Sequence, residues 1–576
     1  MQDGALDDGA LNDGAVGYCD QLGRFGALAG RIEPVELTGG APPRHERPER
    51  SERSERTGGA DIPAGNASFI HDNVADRDTG FTRLDPALSA RSGLTGAQLA
   101  FIGVVAGTLG VCTAKAPDAT VIMLGMFVAI AFAALLCVRL YAIYVIAGAT
   151  RHDVLVSAAQ PRMIEAPVVP EIPVVGDVPE ASLPFYTVLV TLYDEANVVQ
   201  SLVAALDALE YPRDRLEIVF LLEADDGTTR RALEAARLKG HMRIVVVPDG
   251  LPRTKPRALC YGLARTSGDY VVVFDAEDRP EPGRLREAVS AFRRGGPQLG
   301  CLQARLNVYN PSQSLISGQF AVEYTALFDG ILPALAKAGA PVPLGGTSNH
   351  LPRPVLEHVG GWDPWNVTED ADLGLRLARH GFRVEALQST TWEEAPPTLD
   401  VWFRQRTRWQ KGWMQTYMVH MRDPVGLWRD LGTTRFLWFQ VLFGGGLLAA
   451  ATHPWFVAAL MSALITRGWT APEGPSVEEL VGGYGLMWWA GFVCLVGAAA
   501  AAIVLSLITT RRRGFTGLAS HAILCPLIWL PVSLAAYCAV VELLRRPFHW
   551  AKTPHGAGQE ADTGECEITR VVPARL

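Results

Sequence analysis

The feature that most constrains this chain is the placement of its long apolar runs. Leu99–Ala114, extendable back to Leu94, and Ala119–Val138 are parted only by Lys115-Ala116-Pro117-Asp118. Each run approaches the roughly 20 residues that a helix needs to cross a bilayer. Given the length of the second, they read as a transmembrane hairpin rather than as two core helices. Arg139 and Arg151 follow, and the positive-inside rule puts that end in the cytosol. Apolar runs return at Phe436–Thr466, Tyr484–Ile508 and Thr516–Leu544. Gly444-Gly445-Gly446 and Thr452-His453-Pro454 either divide the first of these into two short crossings or break a single one. About six membrane segments are expected, ending in a cytoplasmic tail.

Composition agrees with a membrane protein that carries a water-soluble part: 49% of residues are hydrophobic and 19% charged. A formal net charge of −8 supplies no basic field for nucleic acid. The nine cysteines include no CxxC pair, and Cys112, Cys137, Cys494, Cys525 and Cys538 sit in apolar runs, so neither a disulfide framework nor a zinc site is expected.

Residues 1–95 are rich in Gly, Ala, Asp and Arg and contain the mixed-charge stretch Arg44–Arg56, a composition that predicts disorder. The segment lacks the basic start and apolar stretch of a secretory signal, so the amino terminus is expected in the cytoplasm. After the hairpin, 96–150, six prolines between Pro161 and Pro184 make 151–184 a stiff linker. Residues 185–423 then alternate between strand and helix. Tyr186–Leu192, Leu216–Leu222, Met242–Val247 and Tyr270–Phe274 read as strands, with Val198–Leu209 and Thr228–Lys239 as helices between them. This pattern predicts an α/β domain with a mostly parallel, doubly wound sheet. The C-terminal membrane segments occupy 424–550 and a short tail 551–576.

Ligands of doubly wound sheets bind beyond the carboxyl ends of the strands, and acidic clusters stand there. Tyr193-Asp194-Glu195 closes the first strand and Glu223-Ala224-Asp225-Asp226-Gly227 the second; each suits a ligand site or a helix N-cap. Asp275-Ala276-Glu277-Asp278 ends the strand Tyr270–Phe274 with carboxylates at i and i+2, hard oxygen ligands fit for Mg2+ or Mn2+ on a diphosphate, or else solvated loop acids. Thr368-Glu369-Asp370 opens the helical Leu373–His380; its acids either compensate the helix dipole or provide a general base. On a helix, Gln405, Arg408 and Trp409 share one face at i, i+3 and i+4. An amide, a guanidinium and an indole together suit a sugar phosphate, and equally a membrane-interface helix.

The ordered set Tyr193-Asp194-Glu195, Asp225-Asp226-Gly227, Lys255-Pro256-Arg257, Asp275-Ala276-Glu277-Asp278, Thr368-Glu369-Asp370 and Gln405-Arg406-Thr407-Arg408-Trp409, framed by membrane helices, resembles the processive β-glycosyltransferases of the cellulose-synthase type. The resemblance implies a GT-A catalytic domain embedded in a transmembrane bundle, with a UDP-sugar donor and a divalent cation. By that likeness Asp370, with Glu369 beside it, is catalytic. Asp194, Glu195, Asp225, Lys255, Asp275, Gln405 and Arg408 bind the donor, and Asp275 with Glu277 holds the metal. Trp409 and the loop Thr347, Ser348, Asn349 and His350 bind the acceptor.

Two departures qualify the likeness. Glu277 stands where most relatives carry Asp, and no cyclic-di-GMP-binding domain is evident after Arg545. The Lys552-Thr553-Pro554-His555-Gly556 tail is most like bacterial exopolysaccharide synthases, including those making other β-glucans. The implied enzyme therefore sits in a bacterial inner membrane with its catalytic domain in the cytoplasm. It polymerises sugar, UDP-glucose favoured, onto a growing polysaccharide, works with export partners of the periplasm or outer membrane, and binds no nucleic acid. Transfer of one sugar to a lipid, and a non-catalytic partner with a degenerate domain, are the alternatives.

Overall fold

The computed structural model describes residues 84–148, 180–470, 483–550 and 552. Eight strands form one sheet: β1 (Tyr186–Leu192), β2 (Leu216–Glu223), β3 (Met242–Val247), β4 (Tyr270–Phe274), β5 (Arg279–Pro280), β6 (Leu299–Val308), β7 (Asn349–Pro352) and β8 (Arg383–Glu393), in the order β3-β2-β1-β4-β7-β6-β8-β5. The first four lie parallel and match the strands expected from the sequence. They are near-continuous Val, Leu and Ile runs because both faces of a parallel sheet are covered. Side-chain alternation divides them: Val188, Val190, Ile218, Phe220 and Val272 enter one core, whereas Leu189, Val219, Leu221, Val271 and Val273 enter the other.

The sheet is mixed rather than uniformly wound. β7 runs antiparallel to β4 and β6, and β5 antiparallel to β8. The short β7 joins the two parallel groups, so the carboxyl end of β4 and the loop before β7 meet at one place. Helices α3 (Val199–Asp207), α4 (Gly227–Ala235), α5 (Lys255–Leu263) and α6 (Arg284–Gly295) connect the early strands. Helices α7 (Leu315–Ala326), α8 (Leu332–Lys337) and α9 (Arg353–His358) follow; α10 (Glu369–Arg379) precedes β8, and α11 (Leu399–His420) follows it. The second core runs on without a break through Trp402 of α11 to Phe439 and Phe443, so the soluble domain and the apolar helices share one interior.

Five helices are long and apolar enough to cross a membrane among the described residues: Gly96–Lys115 (α1), Pro117–Gly148 (α2), Pro424–Ala459, Gly485–Arg512 and Ala519–Arg545. About six were expected from the sequence. The run Phe436–Thr466 does not divide: a π-helical turn at Gln440–Gly445 absorbs the glycines, and the following helix Gly446–Thr470 continues through Pro454. In an apolar medium the backbone keeps its internal bonds, so a bulge is favoured over a break.

A correction concerns the first 95 residues. Residues 1–83 lie outside the described residues, as does 151–179 of the linker. Residues 84–95, within the stretch expected to be disordered, are folded against the catalytic domain, with a 3-10 turn at Pro86–Leu88 capped by Asp85.

Helix α10 passes so close to the chain at Val342–Leu344 that a Cβ on Gly374 would stand 2.1 Å from the Val342 carbonyl oxygen. Backbone cannot swing aside, and overpacking of this kind costs about 1–3 kcal/mol. Gly374→Ala should therefore lower the thermal unfolding midpoint of the detergent-solubilised protein by several degrees; an unchanged midpoint would mean that α10 and the Val342–Leu344 segment are not packed as described.

Candidate active site

Because β1, β2 and β4 are parallel, the loops leaving their carboxyl ends converge on one cavity of about 970 Å3. Leaving β1, Asp194 adopts a positive φ of 53°, a region that aspartate tolerates better than most residues. Its amide donates to Asp226 Oδ2 at 2.5 Å, and the Glu195 amide to Thr229 Oγ1 at 2.9 Å. Asp226 Oδ1 accepts from the Thr229 amide at 3.0 Å as the N-cap of α4. Burial opposes its charge, but these bonds outweigh burial and its pKa lies below the usual value. The second acidic cluster is thus divided: Asp226 caps a helix, and Asp225 stays partly exposed in a 2.6 Å ion pair with Arg253. Glu195, Glu223 and Arg253 line the cavity; Asp194 and Asp225 lie just outside its wall.

Lys255 opens α5, with Pro256 in the second position where its missing N–H costs nothing. Its Nζ donates to Asp275 and to the Gly346 carbonyl at 2.7 Å. Burial alone would lower the lysine pKa; the Asp275 and Glu369 carboxylates reverse this and hold it above the ordinary value. Beyond β4 the acids crowd. Burial, then the Asp275 charge, pushes Glu277 up to about 8, and burial with the Asp275 and Glu277 charges raises Asp278 well above the ordinary range. Asp278 is fully buried, accepting from the Asp275 amide at 2.8 Å and from Thr347.

Of the loop before β7, Gly345, Gly346 and Thr347 reach the cavity. Ser348, Asn349 and His350 do not, and the fold uses their side chains. Ser348 hydrogen-bonds Arg284 at 3.0 Å, Asn349 donates to the Gly345 carbonyl at 2.6 Å, and His350 Nδ1 meets the Tyr186 hydroxyl at 2.6 Å. Gln303 accepts from the Gly345 amide at 2.8 Å and donates to the Thr347 carbonyl at 3.1 Å, fixing the loop from β6.

The opposite wall is built by α10 and α11. Glu369 and Asp370 form the first turn of α10, where the helix dipole favours negative charge. Burial, then the Asp370 charge, raises Glu369 to about 7; burial also raises Asp370. Asp370 Oδ1 accepts from the Ala371 amide at 2.8 Å, while Oδ2 lies 3.5 Å from where a Cβ on Gly346 would stand. The residues before α10 are bonded to α11: Val367 N to Gln415 Oε1 at 3.1 Å, Asn366 Nδ2 to Thr416 Oγ1 at 2.9 Å, and Arg408 Nη1 to the Val367 carbonyl at 3.4 Å. Gly412 permits this approach, since a Cβ there would stand 2.3 Å from Thr368 Oγ1. Gln405, Arg408 and Trp409 all line the cavity from one face of α11. Arg406 points elsewhere: it pairs with Glu323 and lies 4.4 Å from the Trp409 ring centroid, holding that indole in place.

Several wall residues escape a reading of the sequence. Glu393, at the end of β8, is buried with its Oε1 unpartnered. Trp365 lines the cavity and meets Phe548 edge-on at 4.8 Å. His549, Trp550 and Lys552 cover the cavity between α11 and the loop after β1: Lys411 donates to the His549 carbonyl at 2.8 Å, Arg408 lies 5.5 Å from the Trp550 ring, and Lys552 donates to the Asp194 carbonyl at 2.5 Å. The basic tail motif at Lys552 was the one available signal. Toward the apolar helices the cavity is walled by Phe132, Val138, Leu442, Ala450, Ala498 and Trp529, with Arg139, His453 and Ser533 as polar groups. Trp488 and Trp489 are not part of the wall.

Residues 184–412 match the family model described as glycosyltransferase like family 2. A probable glycosyltransferase, YdaM, of Bacillus subtilis is 28% identical over 277 residues, 46% of this chain and 64% of that protein. The β-monoglucosyldiacylglycerol synthase of Synechocystis is 30% identical over 274 residues, 46% of this chain and 56% of that protein. The poly-β-1,6-N-acetyl-D-glucosamine synthase of Staphylococcus aureus is 26% identical over 260 residues, 45% of this chain and 60% of that protein. The chain thus spans well under two thirds of the last two and just under two thirds of the first. With its mixed sheet and its acids gathered at the strand ends, the segment 184–412, which matches the glycosyltransferase family 2 model, has the GT-A glycosyltransferase fold.

Proposed function

We propose that the chain is an inverting glycosyltransferase that moves sugar from a UDP-sugar, UDP-glucose favoured, to the end of a growing β-linked polysaccharide. The observation that carries this reading is the single cavity shared by Lys255, Asp275, Glu369, Asp370, Gln405, Arg408 and Trp409, continuing among the apolar helices. Asp370 is the base: Oδ1 is engaged by the Ala371 amide, and Oδ2 is left to take the proton of the acceptor hydroxyl as that oxygen attacks the anomeric carbon. One displacement inverts the configuration, so an α-linked donor yields a β-linked product. Lys255 and Arg408 offset the charge that grows on departing UDP, and the Trp409 indole supports the terminal sugar of the acceptor.

A divalent cation fits the residues present. Half-buried Glu277 and fully buried Asp278 adjoin Asp275, and burial, then the Asp275 charge, raises the pKa of both, a site short of positive charge. Among the described residues no three His, Cys, Asp or Glu side chains form a complete cation site; Asp275 and Glu277 supply two carboxylates, and the donor diphosphate supplies further oxygens. Asp275 and Glu277 would hold Mg2+ or Mn2+, which when bound neutralises the diphosphate.

A second reading, transfer of a single sugar to a lipid, draws on the apolar wall of the membrane-facing part of the cavity and on the similarity to β-monoglucosyldiacylglycerol synthases. Incubating the purified protein with individual UDP-sugars and analysing product length and linkage separates the two: a polymer supports the first reading, a one-sugar lipid the second.

Asp370→Asn keeps shape and removes the proton acceptor, so turnover should fall by at least roughly a hundredfold with UDP affinity little changed; near-normal turnover would reassign Asp370 to capping. Chelation with EDTA should abolish activity and Mg2+ or Mn2+ should restore it, whereas full activity in EDTA would remove the metal role. Asp370 must also be ionised to act. Because burial raises its pKa, kcat/KM should be complete above that raised value and decline as pH falls through it, at a higher pH than the value of about 3.9 for an exposed aspartate. A pH profile whose acidic limb sits at the exposed-aspartate value would exclude Asp370 as the base.

A further inference from the structure

Asp363 is fully buried seven residues before Asp370, in the loop that carries the cavity-lining Trp365 and Val367. Its carboxylate accepts three bonds. One is local, from the Trp365 amide at 3.1 Å. The other two come from beyond the catalytic domain: Ser89 Oγ donates to Oδ1 at 2.9 Å, and the Ala90 amide to Oδ2 at 2.6 Å. Residues 84–93, immediately before α1, therefore form a strap across the back of this loop. Arg422, just beyond α11, fastens the strap by donating to the carbonyls of Ala87 at 2.8 Å, Ser89 at 2.9 Å and Gly93 at 3.2 Å. Leu84 covers Gly360 so closely that a Cβ there would stand 2.9 Å from Leu84 Cδ1. The Arg91 guanidinium lies 5.2 Å from the ring centroid of Trp365, on the indole that walls the cavity and meets Phe548.

The loop has a second set of anchors on the α5 side. Thr254 Oγ1 donates to the Pro364 carbonyl at 2.7 Å, and Cys260 Sγ to the Trp362 carbonyl at 3.3 Å. With α5 on one side and the strap on the other, the loop is held between two grips, and it runs directly into Glu369 and Asp370.

We propose that the pre-membrane strap is a positioning element of the active site: through Ser89 and Ala90 on Asp363, and Arg91 on Trp365, it fixes the loop that orients Asp370 and the Trp365 wall. The effect on catalysis rests on the reading of Asp370 as base; the mechanical hold on the loop does not. Removing the grip leaves Lys255 and Asp275 untouched, so it should lower turnover without weakening nucleotide binding, and it should let the loop amides open more often.

The test uses the full chain in detergent, comparing wild type with Ser89→Ala, Arg91→Ala and the double variant. Three quantities are read on the folded fraction: hydrogen exchange of peptides covering 361–370, UDP affinity, and turnover per folded molecule. The expected result for the double variant is exchange in 361–370 faster by about tenfold, with β1 and β4 unchanged, turnover lower by about tenfold and UDP affinity within about twofold of wild type. Arg91→Lys, which keeps a cation over the indole, should recover most of the turnover lost in Arg91→Ala. Unchanged exchange in 361–370 overturns the proposal, and so does faster exchange with turnover within about twofold of wild type. A wild-type chain that turns over no UDP-sugar removes the function proposed above instead; exchange then judges the strap alone, and unchanged protection in the double variant overturns its hold on the loop.

Discussion

Carboxylates repel one another most strongly where water is scarce, and this cavity gathers Asp275, Glu277, Asp278 and Glu369 around the buried amine of Lys255. Much of the local architecture answers that crowding. Lys255 stands at the start of α5 and bonds both Asp275 and the Gly346 carbonyl. Glu369 and Asp370 occupy the amino end of α10, where the helix supplies partial positive charge. The compensation is incomplete, as the raised pKa values of Glu277, Asp278 and Glu369 record. A site left short of positive charge is what the proposed donor with its cation, and the proposed base, would require.

Helix α11 joins this cavity to the apolar helices. One of its faces presents Gln405, Arg408 and Trp409 to the cavity, and another is built into the helix bundle. Lys411, fully buried, donates to Glu542 at 2.9 Å, and Trp402 lies in the common core. At its carboxyl end His420 meets Asp372 of α10 at 2.8 Å, and Asp372 also holds Arg376 at 2.7 Å. These contacts make α10 and α11 one rigid wall. On the proposed reading a product leaving Trp409 would face the apolar helices directly, because the soluble domain and those helices share one interior.

Much of this was legible in the sequence. The four parallel strands were expected at their observed places because a strand buried on both faces writes a continuous apolar run. The long apolar helices α1 and α2 were legible because their apolar runs are long, and the shared face of Gln405, Arg408 and Trp409 because helical spacing is local. Whether the run Phe436–Thr466 divides was not, since glycines and a proline in an apolar run signal a break or a bulge equally, and the packed helix selected the bulge at Gln440–Gly445.

Other assignments required the folded chain. Ser348, Asn349 and His350 read as one ligand loop, yet Arg284, the Gly345 carbonyl and Tyr186 take up their side chains inside the protein. Asp225 and Asp226 are neighbours with different partners, one paired with Arg253 and the other capping α4. Ser89 on Asp363, and Lys552 on the carbonyl of Asp194, join residues hundreds of positions apart. The sequence by itself determined periodicity, and through it the early strands, the apolar helices and the acids at strand ends, because those depend on residues close along the chain. Only the tertiary structure decided which of those acids share a cavity, which are consumed as caps, and which remote segments close over them, because such pairings depend on where the packed backbone brings distant groups within hydrogen-bond reach.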